Sequence, residues 1–358
     1  MKSLPWILAL LFLLQCEHDS PITETITVEK QVTINPPYTY RLLDSGETSI
    51  TITLTSDELG KLKKDGNIFM RMLVRDPNLM VWVNQSLASS YDFRGVHHNG
   101  SLACLVGLSG KILTSADGIE WTERTSGTTS SLLAVSYGNS LWCAVGTGGK
   151  IITSPDGTTW TSRTSGITSD LMGIYNNGSL WVAVGLSGKI LTSSNGTTWT
   201  QRTSGKTTGL TGVYYGNSKW IIAGDSGVIL SSSDSITWTQ EASGTTLYLY
   251  GVHYANGLWV IAADPNTSSN PPIFTSPDGS IWTGRATGIT SNFLYGVTWN
   301  GSVWCVTGEN GTIVSSADGL TWKSHESPTS KWLFYNTWGN GIWIAAGYDG
   351  TVLRCVHF

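Results

Sequence analysis

Three features predict an all-β chain folded as a seven-bladed β-propeller of four-stranded repeats about 39 residues long. First, two tryptophan series run in step: Trp121, Trp160, Trp199, Trp238, Trp282 and Trp322, and Trp142, Trp181, Trp220, Trp259, Trp304 and Trp343. Second, each repeat holds four short apolar runs separated by turn signals. Third, one first-strand pattern recurs seven times, from FRGVHHNG (93–100) to LFYNTWGN (333–340). A fixed period near 40 marks an array of small β-units, none able to bury its own apolar face. Four antiparallel strands per unit describe a propeller blade.

The elements follow from the N-terminus. MKSLPWILALLFLLQC has one cation, Lys2, and an apolar stretch from Leu4 to Leu14. That stretch is too short for a bilayer core of ~30 Å, so residues 1–15 read as a signal peptide. Cys16 follows directly, as in a bacterial lipoprotein lipobox, although Gln15 stands where a small residue is usual. Acylation of Cys16 would make the chain an exported lipoprotein held at a bacterial membrane, on its periplasmic face or at the cell surface, without a spanning helix; plain secretion is the alternative. Residues 16–65 read as a tether with a small β-rich extension: TITVEKQVTI (25–34) and SITITLT (49–55) are strand-like, and SDELGKLKKD has helical spacing behind Ser56.

The propeller is assigned to residues 66–358. GNIFMRMLV (66–74) is expected as one more strand leading into ring closure. LMVWVNQS (79–86) places Trp82 where a fourth-strand Trp belongs, 39 residues before Trp121. The last repeat ends after its third strand, TVLRCVHF, so an N-terminal strand is expected to complete it and remove the open edges.

Within a repeat, 131–164 is representative. LLAVSY is turned by Gly138-Asn139, LWCAVG by Thr147-Gly148-Gly149 and KIITS by Pro155-Asp156-Gly157, before TTWTSRT. Asp-Gly between alternating runs is a strong hairpin signal, because Gly accepts positive φ. Cys104, Cys143 and Cys305 occupy a position held elsewhere by Val182, Ile221, Val260 and Ile344, so these thiols read as small core hydrophobes.

The third turns, SADGIEW (115–121), SPDGTTW (154–160), SSNGTTW (193–199), SSDSITW (232–238), SPDGSIW (276–282) and SADGLTW (316–322), resemble the Asp-boxes of BNR-like repeat propellers. They are one residue shorter between Asp and Trp than the sialidase form, and Asn195 and Ser235 depart from the pattern. The resemblance spans residues 90–358. It implies a propeller fold in which Ser and Asp bond the turn backbone and Trp plugs the strands. Boxes of this kind occur in sialidases, adhesins, phage tail proteins and photosystem-assembly factors, so the resemblance implies no single activity.

In a propeller the Asp-box turns share one face with the first-to-second turns. The second-to-third turns and the links between blades share the other, and there the repeats differ. Lys111, Lys150 and Lys189 mark blades one to three; Asp225, Asp264, Glu309 and Asp349 mark blades four to seven. Arg124, Arg163, Arg202 and Arg285 end four outer strands, with Glu241 and His325 at equivalent places. The first-strand start reads Arg94, Leu133, Met172, Thr211, Tyr250, Tyr295 and Phe334, with Tyr248, Phe293 and Trp332 nearby. Blade five alone has a long turn, from Asp264 through Asn266 to Pro272. The candidate ligand-binding residues are therefore Tyr250, Tyr295, Phe334, Trp332, Asp264, Asn266, Glu309, Asp225 and Arg94. Packing of the channel mouth accounts for the same rings equally well.

A charged content of 13% and a net charge of −4, with no Lys/Arg run, exclude a nucleic-acid footprint. Scattered histidines point to no metal site, and no cofactor is expected. The expected chain is a monomer that touches a membrane only through its anchor. Three functions stay open: a non-catalytic binding or adhesion propeller for a protein or carbohydrate ligand; a sialidase-like glycoside hydrolase; and an assembly or chaperone-like factor for a membrane complex. The hydrolase resemblance implies an arginine cluster, a Tyr nucleophile with a Glu partner, and a Phe/Tyr-Arg-Ile-Pro segment. Phe93-Arg94-Gly95-Val96 is the nearest match and lacks the Ile-Pro. The assembly-factor resemblance implies an arginine patch, for which Arg124, Arg163 and Arg202 are the analogues. No catalytic residue is assigned.

Overall fold

A computed structural model describes residues 80, 82–85, 87, 91–265, 271–289 and 292–356, and the backbone of Ile22–Thr27, Val32–Thr33, Ser49–Leu54 and Arg71–Met72. The chain divides into two compact units, Met1–Leu79 and Met80–Phe358. The expected signal peptide, Cys16, the helical segment after Ser56 and Asn266 lie outside the described residues.

In the N-terminal unit Ile22–Thr27 pairs antiparallel with Ser49–Leu54. Arg71–Met72 pairs with Val32–Thr33 inside the same unit, so the strand expected to lead into ring closure does something else.

The second unit is a seven-bladed propeller. Six blades, at 93–124, 132–163, 171–202, 210–241, 249–285 and 294–324, are each four antiparallel strands in sequence order. The seventh takes its inner three strands from 333–356 and its outermost from Trp82–Asn84. Leu353 faces Asn84, Arg354 faces Val83 and Cys355 faces Trp82 across that closing pair. Gln85 N–H extends it by donating to Val352 O at 2.8 Å. Closure gives blade seven the same four-stranded sheet as the other six and covers the outer edge of its third strand.

Burial across a blade explains the sequence pattern. Second strands such as Trp181–Gly185 are buried at every position because a neighbouring blade covers each face, so they read as unbroken apolar runs. Outer strands such as Thr200–Arg202 lie at the surface, with Thr200 and Gln201 exposed and Arg202 half-buried. The core is a set of inter-blade seams. Trp142 of blade two packs with Cys104, Val106 and Ile112 of blade one. Blade seven meets blade one through Ile342, Ile344 and Val352 against Phe93, Val96 and Leu105. Cys104, Cys143 and Cys305 are buried within these seams, as the aliphatic equivalence predicts.

The two tryptophan series differ in depth. Trp181, Trp259 and Trp343 have 0% exposure, whereas the turn tryptophans sit at the outer margin and several donate Nε1–H to the turn, as Trp160 does to Gly157 O at 3.1 Å. In the same turn Ser154 Oγ accepts from Gly157 N–H at 2.8 Å, and Asp156 Oδ1 accepts from Thr158 and Thr159 N–H at 2.8 and 3.0 Å. Asn195 Oδ1 serves identically at 2.9 and 2.9 Å, which is why the third repeat tolerates it. These bonds hold Asp234 down to about 2, the backbone N–H groups of Thr237 and Ile236 contributing most.

Inner strands crowd one another around the axis. A Cβ on Gly212 would lie 2.2 Å from Tyr250 O of the next blade. Only glycine fits there.

A candidate ligand-binding mouth

Every inner strand begins with a register irregularity against its second strand: Phe93 pairs Gly107 and Gly95 pairs Val106, so Arg94 is bulged out. The same irregularity frees Leu133, Met172, Thr211, Tyr250, Tyr295 and Phe334. A bulge re-aims its side chain, and seven of them ring the channel at the end where the blades differ. The variable column of the sequence is thus a structural ring.

Two further series lie beside it. The residue before each inner strand (Asp92, Ser131, Asp170, Gly209, Tyr248, Phe293, Trp332) accepts a backbone bond from the first residue of the second-to-third turn (Leu108, Thr147, Leu186, Asp225, Asp264, Glu309, Tyr348), at 2.9–3.1 Å. This repeated clamp presents the turn residues at the mouth, and it puts Asp225, Asp264 and Glu309 at one equivalent position.

On blades five to seven the rings meet. Tyr250 and Tyr295 cross edge to face at 4.9 Å, Tyr295 and Phe334 lie 5.2 Å apart, and Trp332 and Tyr348 5.2 Å apart. Arg94 closes the series from blade one: its guanidinium carbon stands 4.2 Å over Phe334 and 4.9 Å over Tyr348, and Nη2 donates to Tyr348 Oη at 3.2 Å. Among the described residues it makes no ion pair. Tyr295 Oη donates to Glu309 Oε1 at 3.3 Å, and Phe293 N–H to Oε2 at 3.3 Å. Asp225 Oδ2 accepts from Gly209 N–H at 3.2 Å.

Electrostatics match this layout. Burial raises the Tyr250 hydroxyl, and Asp264, Asp225 and Glu309 raise it further, in that order. Tyr295 is raised by burial and then by Glu309. Burial also raises the Asp225 carboxyl. Tyr295, Phe334, Asp264 and Glu309 are themselves buried, while Tyr250, Trp332, Tyr348 and Arg94 are partly open and Tyr248 is 49% exposed. The buried members support a platform that the open members present.

Most of the sequence-predicted set is therefore brought together: Tyr250, Tyr295, Phe334, Trp332, Glu309 and Arg94 are linked directly, with Asp225 and Asp264 alongside. Asp349 is not. It sits one position further along its turn, exposed, and pairs with Lys331. Tyr348 holds the mouth position instead; as an uncharged ring it does not stand out in the charge pattern of the turns, and its bond to Trp332 O places it. Lys111 is turned outward, paired with Glu123 and 4.2 Å from the Tyr91 ring. The outer-strand arginines are not a cluster. Arg124, Arg163, Arg202 and Arg285 each donate Nε–H to a third-strand threonine at 2.8–2.9 Å, one per blade. Where the partner is serine, Glu241 or His325 replaces the arginine. These are blade-edge ties.

Below the mouth the channel narrows to a cavity of about 80 Å³, walled by Gly95, Gly173, Gly212 and Gly251, with Tyr335 where a seventh small residue would stand. That space suits a few waters at ~30 Å³ each. A larger ligand would lie across the mouth. Among the described residues no group of three or more His, Cys, Asp or Glu is arranged to hold a metal.

No family model matches the chain, and no curated protein matches it. Solved structures do. YCF48 bound to D1 peptide is similar with a TM-score of 0.64 at 14% identity, over 79% of this chain and 96% of that one. A catalytically inactive virginiamycin B lyase from Staphylococcus aureus with quinupristin gives 0.69 at 9%, over 78% and 100%. The WD40 propeller domain of Doa1 gives 0.61 at 12%, over 77% and 97%. The likeness is one of fold. Such propellers carry unrelated tasks, so what distinguishes this one lies in its mouth.

Proposed function

We propose that this protein is a non-catalytic binding propeller that captures a segment of another polypeptide across the aromatic mouth of blades five to seven. The observation that carries the reading is the bulge ring: seven equivalent positions, four of which form one continuous aromatic and guanidinium contact series, with Tyr250 and Arg94 partly open, while the scaffold beneath stays regular. Binding residues concentrate where a rigid frame presents variable side chains, and partly open Tyr and Trp supply contact area at low entropic cost. The structure of YCF48 with a D1 peptide supports peptide capture as a task open to a propeller of this shape. Capture of this kind serves adhesion and complex assembly alike. The serine–aspartate turns further support a place among Asp-box propellers. Export on an acylated Cys16 belongs to the same proposal and rests on residues 1–16; loss of labelled palmitate in Cys16→Ala tests it.

The test is binding by the full-length protein in mild detergent to a displayed peptide library and to a glycan array, beside Tyr250→Ala and Trp332→Ala. Peptide capture lost in both variants, with an unchanged melting temperature, supports the reading. Capture of glycans alone, or peptide capture indifferent to both variants, sinks it.

One contact favours a second reading. Tyr295 Oη lies 3.3 Å from Glu309, the residue types a sialidase-like hydrolase pairs. Against it, the carboxylate and burial hold the Tyr295 proton on, and Arg94 is the single arginine at the mouth positions. Turnover of a fluorogenic sialoside, abolished by Tyr295→Phe, would revive this reading.

A further inference from the structure

We infer that the segment taken up at the mouth is basic, and that a Lys or Arg side chain of it seats against Tyr248 and Tyr250 beside the carboxylates of Asp225, Asp264 and Glu309. This rests on the binding reading above and names the chemistry of its ligand.

Three independent observations converge. The first is charge. On blades four to six the mouth turn positions carry three carboxylates, Asp225, Asp264 and Glu309, and no cation. A concave arc of one sign focuses its field and raises the local concentration of the opposite charge. The second is the character of the rings. Tyr248 is 49% exposed and Tyr250 partly open, so both rings are accessible to an incoming cation, and aromatic rings attract ammonium and guanidinium groups. The Tyr250 hydroxyl also lies in the field of Asp264, Asp225 and Glu309, which raise it beyond the effect of burial. The third is orientation. Arg94 is stacked on Phe334 and bonded to Tyr348 at the far end of the aromatic series. Its charge repels a second cation there. Lys150 and Lys189 mark the rim of blades two and three. A basic side chain is thus turned away from blades seven, one, two and three and drawn to blades four to six, where carboxylates and open tyrosines coincide.

Glu309 and Asp225 reinforce this. Glu309 is nine-tenths buried and accepts from the neutral donors Tyr295 Oη and Phe293 N–H, each at 3.3 Å; no cation pairs with Glu309 or Asp225 among the described residues. A ligand cation would supply what the fold does not. The channel beneath holds about 80 Å³, so the segment lies across the mouth with one side chain turned in.

The experiment pans a phage-displayed random dodecapeptide library on the full-length protein, then measures recovered peptides by fluorescence anisotropy. Recovered sequences should be enriched in Lys and Arg over the unselected library. Affinity should fall about tenfold or more when the basic residue is replaced by Gln, and should weaken steeply from low to high salt. Asp225→Asn/Asp264→Asn/Glu309→Gln should abolish the preference for basic sequences. If that triple variant melts early, Glu309→Gln alone, isosteric and still able to accept from Phe293 N–H, should reduce it. Enrichment of acidic or uncharged peptides overturns the inference, as does a basic preference that survives charge removal. Neutral peptides that are still lost in Tyr250→Ala would leave the mouth reading standing while this inference fails. Recovery of no peptide removes both.

Discussion

Trp181→Ala tests the seam model most directly. Trp181 has 0% exposure and fills the space between blades two and three, against Cys143, Val145 and Ile151 on one side and Leu171 and Leu191 on the other. Both walls are β-sheets held by their own ladders, so they cannot collapse into the void. Truncation should cost ~3–5 kcal/mol, which for a domain of this size lowers Tm by roughly 5–9 °C. The indole nitrogen sharpens the test. Trp181 Nε1 is buried without a hydrogen-bond partner, so Trp181→Phe removes a penalty of ~1–3 kcal/mol along with some volume. Its net cost should be about 1 kcal/mol or less. Trp160 is the contrast, because its Nε1–H is bonded to Gly157 O at 3.1 Å. Trp160→Phe forfeits that bond and should cost more than Trp181→Phe despite the shallower site. The assay is thermal melting of purified variants followed by tryptophan fluorescence and circular dichroism. Equal melting of Trp181→Ala and wild type would refute the seam model, and equal damage from the Phe and Ala variants at 181 would refute the account of the unpaired nitrogen.

Other perturbations probe the axis, the closure and pH. Gly212→Ala places a Cβ 2.2 Å from Tyr250 O, where backbone must move, and should lower Tm by several degrees, whereas Gly209→Ala meets only the movable Asp225 side chain at 2.5 Å as its nearest contact and should be milder; identical melting of the two would contradict the crowding argument. Deleting residues 80–87 removes Met80 and Trp82 from the seam between blades six and seven and leaves Val352–Val356 as an open edge; a monomeric, protease-resistant product in sizing and limited proteolysis would reject strand closure. His97 and His253 are held neutral by burial, down to about 4 and about 3, from an ordinary 6.5. The unfolded chain therefore binds more protons below pH 6.5, so stability is full above that value and declines as pH falls towards 4; His253→Gln should flatten the decline in Tm measured from pH 7 to pH 4.5, and an unchanged slope would exclude His253 as a contributor. Below pH 3.8 the turn aspartates add to the loss as Asp234 titrates towards about 2.

Much of this fold was legible because each blade repeats the same local problem. Trp, Gly and Asp-Gly recur at fixed spacing, so the strands, the turns and even the cysteine positions follow from aligning one repeat with the next. The closing strand was legible too, from Trp82 standing one period before Trp121. The mouth was half legible. Aligned columns exposed Arg94, Tyr250, Tyr295 and Phe334 as exceptions, yet no column reveals that the shared position is a bulge, since bulging depends on pairing with a second strand. The charged turns misled for a related reason: Asp349 and Tyr348 differ by one residue, and only the clamp from Tyr348 N–H to Trp332 O decides which faces the axis. The outer arginines looked like a patch because they recur, whereas their bonds to third-strand threonines make recurrence the mark of a structural tie.

By itself the sequence determined the number of blades, the four-strand repeat and the way the ring closes, because periodic burial must be written into periodic residues. Tertiary structure alone decided which exceptions belong together. Tyr250, Tyr295, Phe334 and Arg94 are strangers in sequence, the last separated from Phe334 by 240 positions, and they touch because closing the ring brings blade seven beside blade one. Spacing along the chain carries the frame, and closure in space makes the site.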